Sequence, residues 1–158
     1  MPARLLVLVA LSSVAFPLQA GEADFHGRWT ITGSVTAPWV DPARAPVTDT
    51  AETYTGRIVE ISPGRMSGPP LFDCGATGLT VEALPYAGLF EGGLAADPTD
   101  AAAPYDLARA KRLAEGLGFT GEPVETLSHG CSEVMLHRVS GTTLVFGLDN
   151  RIFTLARQ

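Results

Sequence analysis

Thr142-Thr143-Leu144-Val145-Phe146-Gly147-Leu148-Asp149-Asn150-Arg151-Ile152-Phe153-Thr154-Leu155-Ala156-Arg157, residues 142–157, closes the chain. Leu144, Phe146 and Leu148 recur at period two, as do Phe153 and Leu155 beyond Asp149-Asn150. Such alternation puts one set of side chains on one face of a strand. Asp-Asn tolerates the left-handed backbone that a tight turn demands. The stretch therefore reads as a β-hairpin, and it sets a mainly β fold.

Working outward, residues 134–139 and 124–131 read as two more strands, with Ser140-Gly141 as a turn. Before them lies the one strong helical pattern. Leu107, Ala110, Leu113, Ala114 and Leu117 form a stripe at helical spacing. The start is placed at 97–100, with Thr99 or Asp100 as cap and Pro104 in the first turn, and Gly118 is the stop. Residues 79–84, 65–67, 56–61 and 25–35 are earlier strands, with Pro63-Gly64 as a turn. Residues 86–94 are a short strand or packed loop. Residues 37–55 carry Pro38, Pro42 and Pro46 and read as a long connection anchored by Trp39 and Val40. Strands, one helix, then strands predicts an antiparallel barrel or strongly curved sheet with one helix inserted before the C-terminal strands. The helix is expected to cover an open end or edge of the sheet.

The other end of the chain reads as an export signal. Arg4 is the basic n-region, residues 5–14 are apolar apart from Ser12 and Ser13, and Leu18-Gln19-Ala20 suits cleavage before Gly21. A spanning helix needs about 20 apolar residues, roughly twice this core. The expected organisation is a signal peptide at 1–20 and one β-rich domain at 21–158, located in the periplasm or outside the cell, without a stable membrane anchor. Export gives the two cysteines meaning, because oxidising compartments favour disulfides. Cys74 and Cys131 are expected to pair, closing a loop of about 58 residues worth roughly 4 kcal/mol on the chain-entropy model.

The formal net charge is −6. Arg4 is the only charged residue of the leader, so the mature chain is more acidic still. That balance argues against nucleic acid, which requires clustered basic residues. Catalytic motifs are likewise missing. Gly116-Leu117-Gly118-Phe119-Thr120-Gly121 matches a dinucleotide fingerprint in letters, but its glycines follow a helix where the mechanism needs them to open one. His26, His129 and His137 have no metal-ligand spacing. Neither G-x-S-x-G, H-E-x-x-H nor S-x-x-K occurs. No cofactor, metal or catalytic residue is expected.

Gly27-Arg28-Trp29, at the start of the first mature strand, resembles the G-x-W of lipocalin-like (calycin) proteins. In that superfamily the tryptophan closes one end of an antiparallel barrel and a basic residue of the last strand packs over it. The resemblance implies barrel closure by Trp29 with Arg157 or Arg151. The superfamily's mid-chain T-D-Y pattern is absent, and the helix is an addition to its strand order. The chain also resembles small secreted bacterial proteins of uncharacterised function that begin with G-x-W and end in a strand like Leu148-Asp149-Asn150-Arg151-Ile152.

Two functions follow as expectations. The first is a non-catalytic binding protein holding a small apolar ligand in the barrel, with Trp39, Tyr54, Tyr86 and Phe90 near its mouth. The alternative is an inhibitor of an exported lysozyme or protease, whose loops would present acids such as Asp73 or Glu91 to a basic cleft.

Overall fold

The computed structural model describes residues 21–41, 43, 49–73, 78–100 and 102–158. The expected signal peptide at 1–20 and Cys74 lie outside the described residues. Eight strands form one antiparallel sheet curled into a half-barrel: β1 (Gly27–Thr36), β2 (Ile58–Ser62), β3 (Arg65–Ser67), β4 (Thr80–Leu84), β5 (Val124–Ser128), β6 (Met135–Ser140), β7 (Thr143–Leu148) and β8 (Arg151–Arg157). Their order across the sheet is β3-β2-β1-β8-β7-β6-β5-β4. Each neighbour is sequential except β1 and β8, which pair the first strand with the last, Trp29 opposite Arg157 and Thr36 opposite Arg151. β3 and β4 are the two edges.

Period two puts Trp29, Ile31, Val59, Ile61, Leu127, Leu136, Leu144, Phe146, Phe153 and Leu155 on the concave face, where all are buried. Their side chains fill that face. Phe146 and Phe153 stack with centroids 4.9 Å apart, and Phe72, from the connection between β3 and β4, meets Phe146 edge-on at 5.3 Å. The alternation of β1 breaks at Thr32, an extra residue between Ile31 opposite Leu155 and Gly33 opposite Thr154. This bulge turns the end of β1 over, and Val35 emerges 56% exposed.

The convex face of β5 to β8 is apolar as well, through Val124, Val139, Val145 and Ile152. An apolar outer face must be covered. The helix α2 (Leu107–Gly116) covers it with Ala110 and Ala114, and Leu113 and Leu117 pack alongside. The helix thus shares one apolar cluster with this outer face, and it packs against the segment Tyr86–Gly92 that follows edge strand β4.

Its start differs from the one expected. Asp106 is the cap, its carboxylate accepting from the Arg109 N–H at 2.9 Å. Asp97 instead binds the Thr99 and Asp100 amides in a local turn, so Thr99, Asp100 and Pro104 precede the helix. Leu107, on the first turn, is 68% exposed and does not join the stripe. At the C-terminus Gly118 (φ 95°) allows the Phe119 amide to reach the Ala114 carbonyl and its own amide to reach Glu115. That is a Schellman stop, the role in which the G-x-G-x-x-G letters are used. A six-residue helix, α1 (Asp49–Tyr54), occurs within the stretch expected to be all connection. Of the two readings for residues 86–94, the packed loop is the one observed, with Tyr86–Gly92 as a 3₁₀ segment.

Candidate functional site

The end of the sheet carrying the Gly27-Arg28-Trp29 triplet is bound up by one arginine. Trp29 is buried, with its indole N–H donating to the Phe25 carbonyl at 2.8 Å. The Arg157 guanidinium carbon lies 4.3 Å from the Trp29 ring centroid, in cation–π geometry. Its N–H groups donate to the carbonyls of His26 (2.6 Å), Asp24 (2.6 Å) and Gly141 (2.9 Å). Gly27 has φ 140°, and a Cβ there would sit 3.0 Å from the Arg157 Nη1. Arg151 is at the other end of β8, bound to the Ser34 hydroxyl at 2.7 Å. Of the two arginines, only Arg157 covers Trp29.

The four aromatics expected around one mouth fall in three places. Tyr54 meets Phe153 edge-on at 5.9 Å, beside the concave core. Tyr86 is buried against Phe119 at 6.3 Å beneath the helix. Burial and the nearby Glu122 and Glu115 carboxylates push its phenol above the usual range. Trp39 and Phe90 alone come together, centroids 5.2 Å apart, and they wall a cleft of about 280 Å³.

Trp39, Phe90, His137, Met135 and Gly147 line this cleft, with Glu91, Glu133 and Asp149 among its polar residues. Each wall is fixed by a different element. Arg109 of α2 donates to the Pro38 carbonyl at 3.0 Å and also to the Ala96 carbonyl, holding the chain on which Trp39 sits. Glycine at two positions makes room for the rings. A Cβ on Gly93 would lie 2.8 Å from Trp39, and one on Gly147 would lie 3.2 Å from Phe90. Phe90 and Glu91 both occupy the left-handed region, at φ 51° and 57°. Asp149 and Asn150 do so too, in the β7–β8 turn (φ 48° and 60°). All four left-handed non-glycine residues of the described chain therefore line the cleft. For a bulky residue such as Phe90 this backbone is costly, and such residues gather at functional sites.

His137 forms the floor and is 2% exposed. Its Nε2 accepts the Phe90 N–H at 3.3 Å, and its Nδ1 lies 2.9 Å from the Thr126 hydroxyl, its cross-strand partner on β5. An accepting Nε2 requires the proton on Nδ1, which then donates to Thr126. Burial pushes the imidazole down to about 4, so it stands neutral at neutral pH. With both nitrogens engaged internally, His137 holds the Phe90 corner and offers no free base to a ligand.

Glu91 lies on the rim and is exposed, whereas Asp73 is exposed outside the cleft. His129 is buried against Phe72 at 5.5 Å, and desolvation lowers its affinity for a proton. Among the described residues no group of three or more His, Cys, Asp or Glu could hold a metal ion. The cleft was missed by sequence reasoning because it joins residues near positions 39, 90, 135 and 149. Trp39 and Phe90 were legible as aromatics in poor strand contexts, but nothing in their spacing paired them. Comparison with protein-family models, curated proteins and solved structures finds no match to this chain.

Proposed function

We propose that the chain is an exported, non-catalytic binding protein whose ligand site is the Trp39–Phe90–His137 cleft. One observation carries this: an open, aromatic-walled cleft of about 280 Å³ whose corner is held in left-handed backbone by a buried histidine. The ligand belongs there and not in the sheet's interior, where Phe72, Phe146 and Phe153 pack face and edge. The engaged nitrogens of His137 favour binding over proton transfer. A calycin-like end, with Trp29 under Arg157, serves in this proposal as scaffold.

Export and the Cys74–Cys131 disulfide belong to the same proposal. The bond is supported by its neighbours: Phe72 and His129, each two positions before one of the cysteines, are in ring contact.

The test is a panel of small aromatic compounds titrated into the mature protein, followed by ¹⁵N NMR of the two indoles and the backbone amides. Binding in the cleft should shift the Trp39 indole and leave Trp29 unchanged, and Trp39→Ala should abolish the response at Phe90. Shifts confined to concave-face residues such as Phe146 would transfer the site to the interior and overturn the assignment.

A further inference from the structure

The cleft combines two features that select one charge. Its walls are the faces and edges of Trp39 and Phe90, and its polar lining includes Glu91, Glu133 and Asp149 with no lysine or arginine. Glu91, Glu133 and Asp149 are exposed at its rim, on three separate segments: the 3₁₀ loop, the β5–β6 connection and the β7–β8 turn. Aromatic faces attract cations through the ring quadrupole, most strongly at tryptophan. Carboxylates around a concave, low-dielectric wall add to that attraction and repel anions. A volume of about 280 Å³ admits a small molecule or one side chain, close to the lower limit of ligand pockets.

We infer that the cleft takes a small organic cation, a guanidinium or ammonium group on a flat apolar body, with the body against Trp39 and Phe90 and the charge among Glu91, Glu133 and Asp149. This rests on the cleft being the ligand site. Asp149 is the most constrained of the three acids, since its Oδ2 accepts the Thr50 hydroxyl at 2.7 Å. Glu91 and Glu133 have no such bond and are the ones to vary.

Benzamidinium, its neutral isostere benzamide and benzoate differ chiefly in charge and make the probe set. Calorimetry with the mature protein, alongside the Trp39 indole shift, should rank benzamidinium at least ten-fold tighter than benzamide, with benzoate weakest. Raising ionic strength should weaken the cation's binding and leave benzamide's unchanged. The double variant Glu91→Gln/Glu133→Gln should lower benzamidinium affinity by about ten-fold, with near-ultraviolet circular dichroism reporting that the fold is retained. An Arg-containing tripeptide, capped at both ends, distinguishes the source: binding tighter than free benzamidinium supports the inference with the cation carried on a polypeptide. If benzamide binds the cleft as tightly as benzamidinium, or the double variant leaves the cation's affinity unchanged, cation selection is overturned while the cleft stands as a binding site. If none of the probes moves Trp39, both the inference and the site assignment are overturned.

Discussion

Arg157 shows how much one side chain can hold. It binds three backbone carbonyls and one ring, tying the last strand to the N-terminal turn and to the β6–β7 turn. Removing it strands those carbonyls and uncovers Trp29. Arg157→Ala should therefore cost about 2–4 kcal/mol, summing a cation–π contact and charge-assisted hydrogen bonds. Lysine keeps the charge but not the planar fork, so Arg157→Lys should recover less than half of the loss. Urea denaturation followed by Trp29 fluorescence measures both. Equal stability of the alanine variant and the parent would remove the clamp. The same arginine explains the glycine of the triplet: at Gly27 the φ of 140° and the Nη1 at 3.0 Å both exclude a side chain.

At the scale of elements, β5 and β6 meet the 3₁₀ loop through one polar chain, from the Phe90 N–H to His137 and on to Thr126. Protonating His137 would set an Nε2–H against the Phe90 N–H, donor against donor. Unfolded, the imidazole takes its proton below about pH 6.5; folded, it resists until about 4. Between those values the unfolded chain binds the extra proton. Stability from this residue is therefore complete above pH 6.5 and declines as pH falls, by about 3 kcal/mol once pH is below 4. Burial depresses His129 in the same direction. The urea midpoint should thus fall across this window, and His137→Gln should flatten the decline. An unchanged pH profile in that variant would show that His137 titrates normally. The helix α2 reaches the same site from outside, because Arg109 fastens the carbonyl before Trp39.

For the whole molecule, pairing β1 with β8 joins the first strand to the last, and the Gln158 amide reaches the Arg28 carbonyl at 2.9 Å. Among the described residues, β3 and β4 are the unpaired edges of the half-barrel. The proposed disulfide would strap the connection between those edges to the end of β5. Cys131→Ala should then lower stability by about 2–5 kcal/mol. Mass spectrometry of the exported protein under non-reducing conditions should find one intramolecular bond and an N-terminus at Gly21. Two free thiols, or retention of Met1, would refute those two expectations in turn.

The alternation in residues 142–157 was enough to determine strands, hairpin and the mainly β class, because a two-residue period acts locally and needs no partner. The stripe from Ala110 to Leu117 likewise determined a helix, and Gly118 its end. The same residues carried more than was read from them: Val145 and Ile152 lie between the inward-facing ones, and an apolar residue at both parities marks a strand buried on both faces. That second face is why the apolar stripe of the helix joins a cluster on the outer side of the sheet. Asp106 is the cap, and Thr99 and Asp100 are not, because the Thr99 hydroxyl donates to Asp97 and the Asp100 carboxylate accepts the Ala102 amide in a turn ahead of the helix. Only the tertiary structure could choose Arg157 over Arg151, since register decides which end of β8 faces Trp29. It alone also separated Tyr54 and Tyr86 from Trp39 and Phe90. A cleft forms where distant segments converge, and convergence is a property of sheet order and loop path that no local periodicity encodes.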